Sequence, residues 1–95
     1  MQTEPIGFKG TEGRWRLGLS NKYAIVSDKE DYIPTVAICE KCVNGIHNAE
    51  LIAASKDMAI ALQYGEKLIH GITYQSEEMK EFLKLTISAL KKAGL

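Results

Sequence analysis

Polar and apolar residues alternate strictly over residues 14–19, and this is the first clear pattern along the chain. A period of two residues predicts a β-strand with one apolar face. The residues of that face are Trp15, Leu17 and Leu19. A β-rich run at 23–27 follows a short polar turn, so the two strands are predicted to form an antiparallel hairpin. A third strand is predicted over 35–39, after Pro34, because proline has no N–H to donate inside a sheet.

A long helical pattern follows over residues 48–69. Asn48 is a suitable N-cap, since its side-chain oxygen can accept an N–H of the first turn. Apolar residues occupy most of the circumference of this helix, so it must be covered on more than one side. Ser55 favours a bend, because serine is a strong N-cap and a weak residue for a helix interior. The alternative is one continuous helix in which Ser55 bonds back to a carbonyl.

A second, amphipathic helix is predicted over residues 76–93, with Ser76 as its N-cap. Its apolar face is formed by Met79, Phe82, Leu83, Thr86, Ile87 and Leu90. The fold class is therefore α+β: a three-stranded antiparallel sheet with one face packed by the long helix and the C-terminal helix alongside. Residues 14–95 form the single domain. Residues 1–13 are rich in glycine, and we expect a flexible arm unless Ile6 and Phe8 dock.

Composition narrows the class of protein. The 95 residues are 45% hydrophobic and 25% charged, as in an ordinary globular domain. Twelve basic and twelve acidic residues cancel, which argues against coating of nucleic acid or of an acidic membrane through bulk charge. No apolar run approaches the roughly 18–20 residues of a membrane span, and no secretion signal is visible. We therefore expect a cytoplasmic protein that does not enter a membrane.

One short motif carries potential chemistry, Cys39-x-x-Cys42 with His47 close behind. Two thiolates and an imidazole can take part in a zinc site, and a dithiol can be redox-active. The plainer interpretation is that Cys39 packs under the sheet and Cys42 lies in a turn. The chain has neither a glycine-rich phosphate loop nor a catalytic-triad pattern. We therefore expect no cofactor and no enzymatic activity.

Two surfaces are candidates for binding. Arg14, Arg16 and Lys22 are predicted to share the open face of the hairpin, as a site for nucleic acid or an acidic partner or as a solvated face. The two helices carry more apolar surface than a three-stranded sheet can cover, so we expect a homodimer through their faces. The candidate residues for this helix face are Leu51, Met58, Leu62, Phe82 and Ile87.

The segment Asn48-Ala-Glu-Leu-Ile-Ala-Ala-Ser-Lys-Asp-Met58 resembles the Asn-Ala-x-Leu-Ile-Ala-Ala-(Ala/Ser)-Pro-Glu-Leu-Leu helix of small proteins encoded by tailed phages and prophages. Those proteins often have a Trp-containing β region near the start and an Ala-Ile-x-Lys-Ala-x-Gly run at the end. Trp15 and the segment 88–94 look similar. The chain departs from the pattern at Lys56, where the family usually has proline.

The resemblance implies a phage or prophage setting in a bacterial host and no particular reaction. It favours a non-enzymatic protein that binds a host protein, for example an inhibitor of a defence system. Two alternatives stay open: a nucleic-acid-binding accessory protein using the Arg14/Arg16 face, and a small metal-binding protein using Cys39 and Cys42.

Overall fold

A computed structural model of the chain describes residues 4–28 and 32–95. Three strands, β1 (Arg14–Leu17), β2 (Ala24–Asp28) and β3 (Thr35–Ile38), form an antiparallel sheet in the order β1-β2-β3. Two helices follow, α1 (Gly45–His70) and α2 (Glu77–Lys92). The predicted α+β class, with its three-stranded sheet and two helices, is confirmed.

The first hairpin forms where the alternating pattern predicts it. Trp15 pairs with Ser27 and Leu17 with Ile25, so the apolar residues of β1 and β2 share the face toward α1. Ile25 is fully buried on that face. β1 ends at Leu17. The Gly18 N–H still donates to the Ala24 carbonyl at 2.9 Å, and the chain turns back between them, where the Ala24 N–H donates to the Asn21 carbonyl at 3.1 Å. Leu19 was predicted to lie on the apolar face, but it is 93% exposed at the tip of the hairpin.

The third strand lies at an edge of the sheet. β3 pairs with β2 through Ala24↔Ile38 and Ile25↔Ala37, and a register shift occurs between Ile25 and Val26. The alternation of faces puts Ile38 on the side away from α1, where it is 66% exposed. The charged residues at 28–31 predict a loop between β2 and β3; Asp28 is the last residue of β2, and residues 29–31 lie outside the described residues.

The long helix is continuous from Gly45 to His70. It begins before Asn48, which was predicted to cap it, because its first turn packs on the sheet. Gly45 lies against the Tyr23 ring and Ala49 is fully buried. The bend favoured at Ser55 is absent: the Ser55 hydroxyl donates to the Ile52 carbonyl at 2.7 Å, as in the continuous alternative.

The C-terminal helix forms as predicted. The Ser76 side chain accepts the Met79 N–H at 3.2 Å, and Lys91 and Lys92 lie in the last turn, where cations suit the helix dipole. α2 runs antiparallel to α1, and the Phe82 ring lies over Gly65, where a Cβ would crowd it. Among the described residues, neither helix is long and apolar enough to cross a membrane.

The molecule is thin and has a small core. Its extents are 49 × 33 × 19 Å and its radius of gyration is 15.7 Å, against about 12–13 Å expected for a domain of this length. Its accessible surface is 7119 Å², against about 5,400 Å² expected for a folded monomer of 10.5 kDa. The chain therefore leaves an excess of roughly 1,700 Å² in contact with solvent.

Candidate functional site

The most elaborate polar cluster is built around Lys56, in the middle of α1. Lys56 is 4% exposed, and its ammonium donates to the Glu4 carboxylate at 2.8 Å. It also donates to the carbonyls of Thr11 and Gly13, at 3.0 and 2.7 Å. An ammonium has three protons to donate, and these contacts use them. Lys56 therefore ties the segment before β1 to the helix, and no proton remains for a ligand.

Two aromatic rings complete this cluster. The Phe8 and Trp15 rings meet edge to face with centroids 5.7 Å apart. The Lys56 ammonium lies 4.7 Å from the Phe8 centroid and 5.3 Å from the Trp15 centroid, within the range of cation–π attraction. The sequence predicts a flexible N-terminal arm unless Ile6 and Phe8 dock, and in the structure Phe8 is docked. The predicted flexibility of residues 1–13 in solution stays a prediction.

The same segment is held a second time further along α1. The Gln63 side chain accepts the Ile6 N–H at 2.8 Å and donates to the Ile6 carbonyl at 2.9 Å. An apolar cleft of about 220 Å³ lies between the Gln63–Ile6 hydrogen bonds and Lys56, and it is lined by residues that include Pro5, Phe8 and Leu95. The cleft is too small for most drug-sized ligands, for which pockets of about 300–1,000 Å³ are typical.

The basic residues predicted on the hairpin are only partly brought together. Arg14 and Arg16 lie in register with Asp28 and Val26 on the open face. The Arg16 Nε donates to both carboxylate oxygens of Asp28, at 2.9 and 3.0 Å, so this positive charge is already compensated. Lys22 lies in the turn, beside Lys41 around a shallow depression, and does not extend the row.

The thiols and imidazole of the predicted metal site do not form a cluster. Cys39 is half-buried after β3, Cys42 is exposed, and the two are not joined by a disulfide. The His47 Nδ1 lies 3.1 Å from a Glu50 carboxylate oxygen. In the part of the chain that the structure describes, no three His, Cys, Asp or Glu side chains are grouped so as to hold a metal ion.

The predicted helix-face residues divide between a groove and open surface. Leu51, Met58 and Leu62 line a groove of about 180 Å³ between the helices, bounded on the other side by Ala89, Leu90 and Ala93. Phe82 is half-buried over Gly65, and Ile87 on α2 is 49% exposed. On α1 the exposed apolar residues follow a spacing of three and four. We call this row the outer seam: Leu51, Ala54, Met58, Ala61 and Leu68.

Sequence reasoning missed the role of Lys56 and its partner Glu4. A signal was available in the spacing, since Ala49, Lys56 and Gln63 are seven residues apart and share one helix face. That face packs against the sheet and the N-terminal segment. A lysine on such a face needs a partner, because a buried unpaired charge is strongly unfavourable.

Comparison of the chain with family models, with curated proteins and with solved structures gives no match. The resemblance to phage-encoded proteins therefore stays a prediction.

Proposed function

We propose that the chain is a non-enzymatic binding protein of phage or prophage origin that engages a host protein in the bacterial cytoplasm. The observation that carries the proposal is the exposed apolar surface around β3. Ile33, Ile38 and Val43 are 53%, 66% and 90% exposed within one short stretch of chain. A contiguous group of exposed apolar side chains is typical of an interaction site, and we take this stretch as the candidate binding surface.

The open face of the sheet has the arrangement expected of a protein interface. Its apolar part is Val26 and Ile38, and the Arg16–Asp28 ion pair lies beside it. Protein interfaces commonly have an apolar centre and a polar rim. The phage setting and the host partner are supported by the resemblance of the helix at 48–58.

The open face of the sheet favours nucleic acid less than protein as its partner. Arg16 is already paired with Asp28, and the chain has zero formal net charge. Affinity for nucleic acid depends mainly on uncompensated basic residues near phosphates. A mobility shift at low salt that disappears in an Arg14→Ala/Arg16→Ala variant would favour nucleic acid over protein.

The proposal is tested by affinity capture of partners from lysates of candidate host bacteria, read by mass spectrometry. We expect a specific host protein to be captured by the wild-type chain and lost with Ile38→Glu. Leu19→Glu is the matched control, because Leu19 is equally apolar and 93% exposed but lies at the hairpin tip. Equal recovery with Ile38→Glu, or no specific protein with the wild-type chain, would overturn the proposal.

A further inference from the structure

The outer seam has the periodicity of a coiled-coil interface. Its members follow one another at spacings of three, four and three residues, and the last lies a further seven residues on. This is the a/d pattern of a heptad repeat, in which apolar residues return to the same helix face. Leu51, Met58 and Leu68 are 61%, 45% and 63% exposed, so each keeps a large part of its surface in contact with solvent, although Leu51 and Met58 also line the groove against α2.

Two other sides of α1 are occupied, whereas Asp57 and Tyr64, outside the seam, are exposed. Lys56 and Gln63 face the sheet side and hold the N-terminal segment, and Leu62 faces α2 across the groove. The position between Ala61 and Leu68 in the heptad is Gly65, and the Phe82 ring of α2 lies over it. An aromatic side chain from the neighbouring helix thus fills the one place in the seam that lacks a side chain.

We propose that a second copy of this chain covers the outer seam, and that the two α1 helices pair antiparallel. In that arrangement an a position meets a d position of the partner helix. With the twofold axis between residues 59 and 60, Leu51 meets Leu68, Met58 meets Ala61, and Ala54 meets Gly65 with its Phe82 ring. Large side chains are matched by small ones in the central layers, as knobs-into-holes packing requires.

A parallel pair would match each residue with its own copy. Met58 would then meet Met58, and Ala61 would meet Ala61, which leaves wide and narrow layers in alternation. The antiparallel register is therefore the better-packed one.

The exposed area is sufficient for such a dimer. A standard interface buries about 800 Å² on each partner, and the whole chain, of which the seam is one part, exposes roughly 1,700 Å² more than an average monomer of its mass. On α2, Leu85 is 61% exposed and lies one helical turn from Phe82, whose ring is over Gly65. Pairing of α1 with its copy would bring the two α2 helices to the flanks of a four-helix layer.

The oligomeric state of the full chain is the first test, by sedimentation equilibrium from 1 to about 100 µM. A dimer is expected for the wild-type chain, and about a 100-fold weaker dimerisation constant for Met58→Glu, since the substitution places a charge in an apolar seam. Leu19→Glu, with its exposed site away from the seam, should dimerise like the wild type. A wild-type monomer throughout this range, or dimerisation unchanged by Met58→Glu, overturns the proposal.

Cysteine cross-linking tests the orientation, in a background in which Cys39 and Cys42 are replaced by serine. In the antiparallel pair the two copies of Leu51 lie about 25 Å apart along the axes, at a rise of 1.5 Å per residue. A disulfide requires Cα atoms within about 7 Å. Mixed Leu51→Cys and Leu68→Cys chains should therefore give a heterodimeric disulfide, whereas Leu51→Cys alone should not cross-link. The opposite result overturns the antiparallel arrangement.

Discussion

Lys56 joins parts of the chain that are far apart in sequence. Its ammonium links α1 to Glu4, Thr11 and Gly13 through one set of hydrogen bonds. The phage-encoded helices that the segment 48–58 resembles usually have proline at this position, a residue that can neither donate a hydrogen bond nor carry charge.

Replacement of Lys56 by methionine should lower the free energy of unfolding by about 2–3 kcal/mol. The reason is that the Glu4 carboxylate and the Thr11 and Gly13 carbonyls lose the hydrogen bonds that the Lys56 ammonium donates, with a discount because the Glu4 side chain is 32% exposed. The measurement is urea denaturation followed by circular dichroism. Lys67→Met is the control, since Lys67 is an exposed lysine of the same helix and should change stability by no more than about 0.5 kcal/mol.

A second readout separates local release of the segment from global destabilisation. Trp15 Nε1 donates to the Thr11 carbonyl at 3.0 Å, and Thr11 is held by Lys56. In Lys56→Met, acrylamide should quench Trp15 fluorescence more strongly, and trypsin should cleave faster after Lys9, under native conditions. Unchanged stability together with unchanged quenching would show that the contacts of Lys56 contribute little.

At the scale of elements, local patterns predicted most of the fold. The period of two residues identified the strands, and the capped, amphipathic pattern identified α2 almost to the residue. The errors lie where tertiary packing overrides local preference. Asn48 has the chemistry of a cap, yet burial of Gly45 and Ala49 against the sheet starts the helix one turn earlier. Leu19 continues an alternation that the hairpin turn has already ended.

The candidate sites were harder to predict than the elements. Side chains alternate between the two faces of a strand, so the sequence shows which charged residues lie on the open face. The pairing of Arg16 with Asp28, however, depends on the strand register. The cluster around Lys56 depends on contacts between residues 43 to 52 positions apart, which no local pattern encodes. Proximity of Cys39, Cys42 and His47 in sequence likewise did not produce a cluster.

Two serines provide a test of helix boundaries. Ser76 caps α2, so Ser76→Ala should lower the free energy of unfolding by about 1 kcal/mol. Ser55 lies inside α1 and donates to the Ile52 carbonyl, so Ser55→Ala should be neutral or stabilising by up to about 0.5 kcal/mol, because alanine has the higher helix propensity. Thermal and urea unfolding of both variants give the comparison. If Ser55→Ala lowered the free energy of unfolding as much as Ser76→Ala, Ser55 would instead be a helix cap, and α1 would be two helices in place of one.

At the scale of the whole molecule, the thin shape and the large surface have one physical cause. The sheet covers one side of α1 and α2 covers another, and no described element covers the third. A domain of about 95 residues has a narrow margin of stability even when well packed. A partner that buries the outer seam would therefore contribute to folding as well as to binding.

Stability and size should consequently depend on protein concentration. If a second copy covers the outer seam, the unfolding temperature of the wild-type chain rises by a few °C for each tenfold increase in concentration. The reason is that association shifts the unfolding equilibrium toward the folded state by mass action. In small-angle scattering, the radius of gyration should exceed the 15.7 Å of the single chain and fall toward that value on dilution. Met58→Glu should show neither dependence, since it places a charge in the seam; because Met58 also lines the groove against α2, circular dichroism of the variant should first confirm that the single chain still folds. Leu19→Glu should behave as the wild type, so that a general effect of added charge is separated from an effect at the seam. A wild-type unfolding temperature that is constant over a hundredfold range of concentration would mean that the third side of α1 is stable in water, and that the excess surface serves a partner other than a second copy.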